Sequence, residues 1–173
     1  MPDQARGAHA ALTQLTDVAD RVTADDLDKQ TPCEDWTVAA LLDHLIVSTD
    51  NFKRTAEGGE ADWKAAAPDV EDRAAELRSR AEALHSAGDA NDEAAKSASF
   101  AAPEFAVHGW DLATAIGAAD DLDESVAEDA LEVMRQGLTD DNRAPSFKPE
   151  QDPPESANAY GRLAAFAGRS VDG

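Results

Sequence analysis

Glu104, His108 and Asp111 are the only ionisable residues in Phe100–Ile116, FAAPEFAVHGWDLATAI. They stand at i, i+4 and i+7, which on a helix places them in one stripe within an arc of about 60°. Val107 flanks the stripe on one side, and Phe105, Leu112 and Ile116 flank it on the other. A stripe walled by apolar residues points inward, where ionisable groups are costly unless they pair or bind a metal. The segment therefore predicts half of a divalent-metal site, with the other half elsewhere in the chain.

His44 is the candidate for that other half. It shares a helix flank with Thr37, Leu41 and Ser48, beside an apolar face of Val38, Leu41, Leu42, Leu45 and Phe52. Two imidazoles and one carboxylate leave a coordination place vacant, as in catalytic zinc sites. The same donors suit iron(II), cobalt, nickel or manganese, with zinc the first expectation. Asp111, one turn past His108, is the candidate catalytic residue: it could hold a ligand imidazole by its second nitrogen, bind substrate or take a proton.

Other residues receive plainer readings. His9 and His85 sit on charged segments and are expected at the surface. Cys33, the sole cysteine, precludes an intrachain disulfide. It stands just before a helix start, where it could reach the metal or be a reactive thiol, but is read first as a small buried residue packed under Trp36. Trp36 and Trp110 are read as core or pocket wall. No Gly-rich phosphate loop occurs, and no serine stands in a nucleophile context.

The elements that must position these residues are all helical in pattern. Six helices are predicted: about 4–23, 37–57, 69–87, a fourth carrying Glu104 and ending near Gly117, 124–136 and 155–167. Thr37 is an N-cap, with Asp35 beside it favouring the positive end of the helix dipole. Residues 89–99 read as polar and weakly structured, and 140–154 as a proline-rich loop. Pro103 either starts the fourth helix or bends it. The chain reads as a single all-α domain, with a core of about 4–137 and an extension of about 138–173.

The charge balance is extreme: 15 Lys and Arg against 36 Asp and Glu give a net charge of −21. Such a surface repels nucleic acid and anionic lipid. It also suits a halophilic setting, where salt screens the self-repulsion. The N-terminal residues lack the pattern of a secretion signal, and no apolar run reaches membrane length, so a cytoplasmic location is expected.

Three blocks carry a family resemblance: TPCEDWTVAALLDHL at Thr31–Leu45, VHGWDLATAIG at Val107–Gly117, and YGRLAAFAGR at Tyr160–Arg169. Together they resemble the DinB-like metal-binding bundles, in the branch related to the N-terminal domain of mycothiol-dependent maleylpyruvate isomerase. The resemblance implies an up-down-down-up four-helix bundle, here with additional C-terminal helices. It implies a divalent metal held by His44, Glu104 and His108. It further implies chemistry with a low-molecular-weight thiol, as a transferase or isomerase acting on a small electrophile. The alternative is a non-catalytic metal-binding or stress-related bundle, which as a homodimer could present its site to a partner.

Overall fold

The computed structural model describes residues 6–34, 36–144 and 146–171, and is helical without strands among them. Asp35, the expected neighbour of the Thr37 cap, lies outside the described residues. Helix α1 spans Arg6–Ala19 and buries Ala8, Ala11, Leu12, Leu15, Val18 and Ala19 on one face. It stops short of the expected end near residue 23. The cause is local: Asp26 accepts the Thr23 backbone N–H at 2.8 Å and the Thr23 hydroxyl at 2.7 Å, which caps a separate 3-10 turn at Ala24–Asp26.

Helix α2 spans Val38–Ala56, and the Thr37 hydroxyl accepts the Ala40 N–H at 3.3 Å. It closes at Gly58, whose φ of 80° lies in the left-handed region that favours glycine. Helix α3, Arg73–Gly88, begins where Asp72 accepts the Ala75 N–H at 3.0 Å.

Residues 89–99 depart from expectation. Asp92–Ser99 forms helix α4, capped by the Asn91 side chain on the Ala94 N–H at 3.0 Å. Its acids, Asp92 and Glu93, lie in the first turn and Lys96 in the last, so the charges follow the helix dipole. Ala94, Ala95 and Ala98 are buried. The polarity that resembled solvated coil is a helix start over a small-residue face.

Helix α5, Ala102–Ala115, carries Pro103 within its first two positions. Proline is harmless there because that N–H has no partner inside the helix. Pro103 therefore starts α5 rather than bending it, and α4 and α5 together form one long rod broken at Phe100–Ala101. Helices α6, Glu124–Gly137, and α7, Ala159–Phe166, complete the chain, with α7 starting later than expected because Asn158 caps Gly161 at 2.8 Å.

Side-chain pairs fix the directions. Asp43 pairs with Arg73 and Asp50 with Arg80, so α2 and α3 run parallel. His9 meets His85, and Asp20 pairs with Arg78, so α1 opposes α3. The pairing of His44 and Ser48 with Glu104 joins α2 to the α4–α5 rod, and Ala102 beside Ala8 with Gly109 beside Leu15 makes that rod parallel to α1. The order is up-down-down-up, a DinB-like bundle. Helix α6 lies antiparallel along α1, with Gly7 beside Asp129 and Gln14 bonded to the Asp123 N–H. Helix α7 packs on α5 and α6.

Candidate metal centre

His44 occupies the second turn of α2, Glu104 the first turn of α5, and His108 the next turn. Leu41, Leu45, Phe105, Val107 and Leu112 go to the core, which turns the intervening polar residues onto the seam between the two rods. One ligand atom from each of His44, Glu104 and His108 lies within 4.8 Å of the others. His44 Nε2 is 2.7 Å from Glu104 Oε1, and His108 Nε2 is 3.8 Å from Glu104 Oε2. Donors around a tetrahedral ion with bonds of about 2.0 Å stand about 3.3 Å apart, between those two spacings. The set fits a divalent cation in chemistry and in spacing.

Glu104 is held as a carboxylate. Burial alone would raise its pKa. The His108 charge, the His44 hydrogen bond and charge, and the Ser48 hydroxyl outweigh burial and bring it to about 2. Ser48 is buried and donates to Glu104 Oε1 at 2.8 Å.

Asp111 is fully buried behind His108. Its Oδ2 accepts from His108 Nδ1 at 2.9 Å, which turns Nε2 toward the side of Glu104. Arg169 grips the same carboxylate, with Nη2 2.9 Å from Oδ2 and Nε 3.3 Å from Oδ1. Burial would raise the Asp111 pKa, but the His108 hydrogen bond and charge and the Arg169 guanidinium hold it below the usual carboxylate range.

Cys33, His108 and Asp111 form a second group of donor atoms within 4.8 Å. It is the poorer cation site, because Asp111 is already bonded by His108 and by a guanidinium cation. Cys33 is only partly buried, where a buried residue was expected, and it lies beside His108 and Asp111. Trp36 covers the imidazoles, with ring centroids 4.3 Å from His44 and 5.6 Å from His108, so it is pocket wall. Trp110 lines a different pocket, together with Asn158 and Val171, so it is pocket wall there.

His9 and His85 differ from expectation. Rather than lying at the surface, they stack with ring centroids 4.0 Å apart at the start of α1 and the end of α3. Two further residues escaped notice as site components. Ser48 was visible only as a flank neighbour of His44. The signal for Arg169 was a lone cation closing the apolar run LAAFAG.

An up-down-down-up bundle with a histidine–carboxylate cluster between its second and fourth rods defines the DinB-like class. The chain belongs to the family described as the mycothiol maleylpyruvate isomerase N-terminal domain, whose model matches residues 8–166. That family is associated with metal binding. Two Mycobacterium tuberculosis proteins described as uncharacterized, from strains CDC 1551 and H37Rv, are each 29% identical to the chain, covering 97% of it and 95% of their own length. No solved structure gives a significant match. Among the described residues, no helix is long and apolar enough to cross a membrane.

Proposed function

We propose that this protein binds one divalent metal ion, zinc first among candidates, through His44, Glu104 and His108, and uses it with a low-molecular-weight thiol in transfer or isomerisation of a small electrophile. The observation that carries the reading is the convergence of three donor side chains from two opposed rods, with the second nitrogen of one imidazole already held by a buried carboxylate. A bound cation of this kind lowers the pKa of a thiol or water that reaches it, yielding a nucleophile near neutral pH. The chain's own residues do the rest. Glu104 offers an anionic oxygen, steadied by Ser48. Asp111 keeps the Nδ1 proton of His108 in place, so that Nε2 stays free to donate. Trp36 walls the imidazoles from solvent on one side. His44 would contribute its Nε2, which lies 2.7 Å from Glu104 Oε1.

The family name supports a thiol as co-reactant. The net charge of −21 supports small-molecule rather than nucleic-acid partners. Elemental analysis of protein purified without chelators or a His tag should find about one divalent ion per chain; a ratio near zero would refute the reading. Thiol consumption with a panel of electrophiles then tests the chemistry, and a metal-loaded protein inert to every pair would leave a binding protein only.

A further inference from the structure

We infer that Arg169, delivered by the C-terminal segment, is a positioning residue for the metal centre. It acts through Asp111 to set the orientation and tautomer of His108. The inference rests on the metal-site reading above and adds to it the dependence of that site on a residue outside the four bundle rods.

The path is continuous. Arg169 is 10% exposed and Asp111 is 0% exposed, so this ion pair is shielded from water. Two guanidinium nitrogens engage the two carboxylate oxygens, which fixes the plane of the carboxylate and not only its charge. One of those oxygens, Oδ2, receives His108 Nδ1. With its plane fixed, Asp111 can only accept from that nitrogen, and Nε2 is committed to the face shared with Glu104. A carboxylate gripped by His108 alone could rotate about its last bond, and the ring would turn with it.

The backbone places Arg169 with equal care. The Arg169 N–H reaches the Ala164 carbonyl and the Gly168 N–H reaches the Ala165 carbonyl, each at 2.9 Å. This is the paired closure in which a left-handed residue ends a helix. Gly168 supplies it at φ +83°, where an added Cβ would sit 2.6 Å from the Lys148 carbonyl oxygen. The closure turns the chain back, so that the Arg169 side chain enters the bundle instead of leaving along the α7 axis. Buried Arg143 holds this end of α7, with Nη1 2.6 Å from the Phe166 carbonyl and its guanidinium 4.7 Å above the Phe166 ring. Lys148 pairs with Glu34, next to Cys33. The C-terminal segment is thus tied to the site at two places, and Arg169 is the contact that reaches the ligand shell.

The test is cobalt(II) and zinc titration against a competing chelator, with the visible spectrum of the cobalt form as a second readout. Arg169→Gln should weaken metal binding about 10-fold, and Asp111→Asn about 10- to 100-fold, the range for partners of metal-bound histidines. The Arg169→Gln cobalt spectrum should differ from that of the parent, and Arg169→Lys should recover part of the affinity. In the double variant, Arg169→Gln should add little to Asp111→Asn, because both act on one element. A purely structural Arg169 would lower the melting temperature yet leave affinity and spectrum unchanged well below it. That result, or full additivity in the double variant, overturns the inference while the metal site stands. If the parent chain takes up no cobalt or zinc, the metal-site reading fails and this inference fails with it.

Discussion

His44 and Ser48 share one oxygen of Glu104, and the consequences of losing each differ. His44 and His108 supply nitrogen donors, so His44→Ala or His108→Ala should leave the purified protein with little metal. Full stoichiometry in either variant would remove that residue from the ligand set. Ser48 is no donor to the ion: its hydroxyl steadies Glu104 through one charge-assisted bond, in the range of about 1.5–3 kcal/mol, and lies 3.2 Å from His44 Nε2. Ser48→Ala should retain the ion but weaken it by about 10-fold or more, read by chelator competition; unchanged affinity would make Ser48 a bystander. Asp111→Asn places an amide where Nδ1–H needs an acceptor, so turnover with a thiol substrate should fall further than metal content. The reverse pattern would make Asp111 a ligand instead.

At the scale of elements, apolar spacing was sufficient to read α2, which leaves His44 beside its buried face, and α5, which is buried on nearly every side and carries His108 among its buried residues. It failed for α4, which is only eight residues long and whose buried face is alanine only, so a polar stretch hides a short helix. It also failed where contacts are long-range. Arg169 and Asp111 are 58 residues apart, and no local pattern records their meeting. The His9–His85 stack is a third case, since charged neighbours in the sequence do not show that α1 and α3 bring the rings face to face. That stack has a measurable consequence. Burial chiefly, then the charge of His9, lowers the His85 pKa from 6.5 to about 4, against a small opposing effect of Asp89; His9 is lowered too, again mainly by burial. The unfolded chain therefore binds more protons than the fold between those values. Stability is complete above pH 6.5 and declines as pH falls toward 4. His85 should account for about 2 kcal/mol of that decline, allowing for its partial exposure. Urea unfolding of His85→Gln should show a shallower slope over this range than the parent, and parallel curves would assign the loss to other groups.

For the molecule as a whole, charge sets the terms of stability. With 36 acids against 15 Lys and Arg, most carboxylates have no cation to face. The visible pairs are largely exposed, such as Arg21–Asp121 at 2.9 Å and Lys53–Glu57 at 2.8 Å. Exposed pairs are worth about 0–1 kcal/mol each. Salt weakens these few attractions and also the many repulsions, and the excess of 21 negative charges decides the direction. Screening shortens from about 10 Å at 0.1 M to about 3 Å at 1 M, so neighbouring surface acids cease to interact only toward the upper end. The melting temperature should therefore rise steadily with sodium chloride up to molar concentration. A neutral osmolyte can raise it through exclusion from the surface, but it should not remove the difference between the parent and a variant with several exposed acids changed to neutral residues. Salt should remove that difference. Dialysis into low salt should loosen the bundle first along α1 and α6, where Asp123, Asp129 and Glu132 line the grooves between the two helices. Hydrogen exchange resolved by segment would read this as earlier loss of protection there than in α2. A melting temperature indifferent to salt, or protection lost first in α2, would show that acidic repulsion does not govern the stability of this fold.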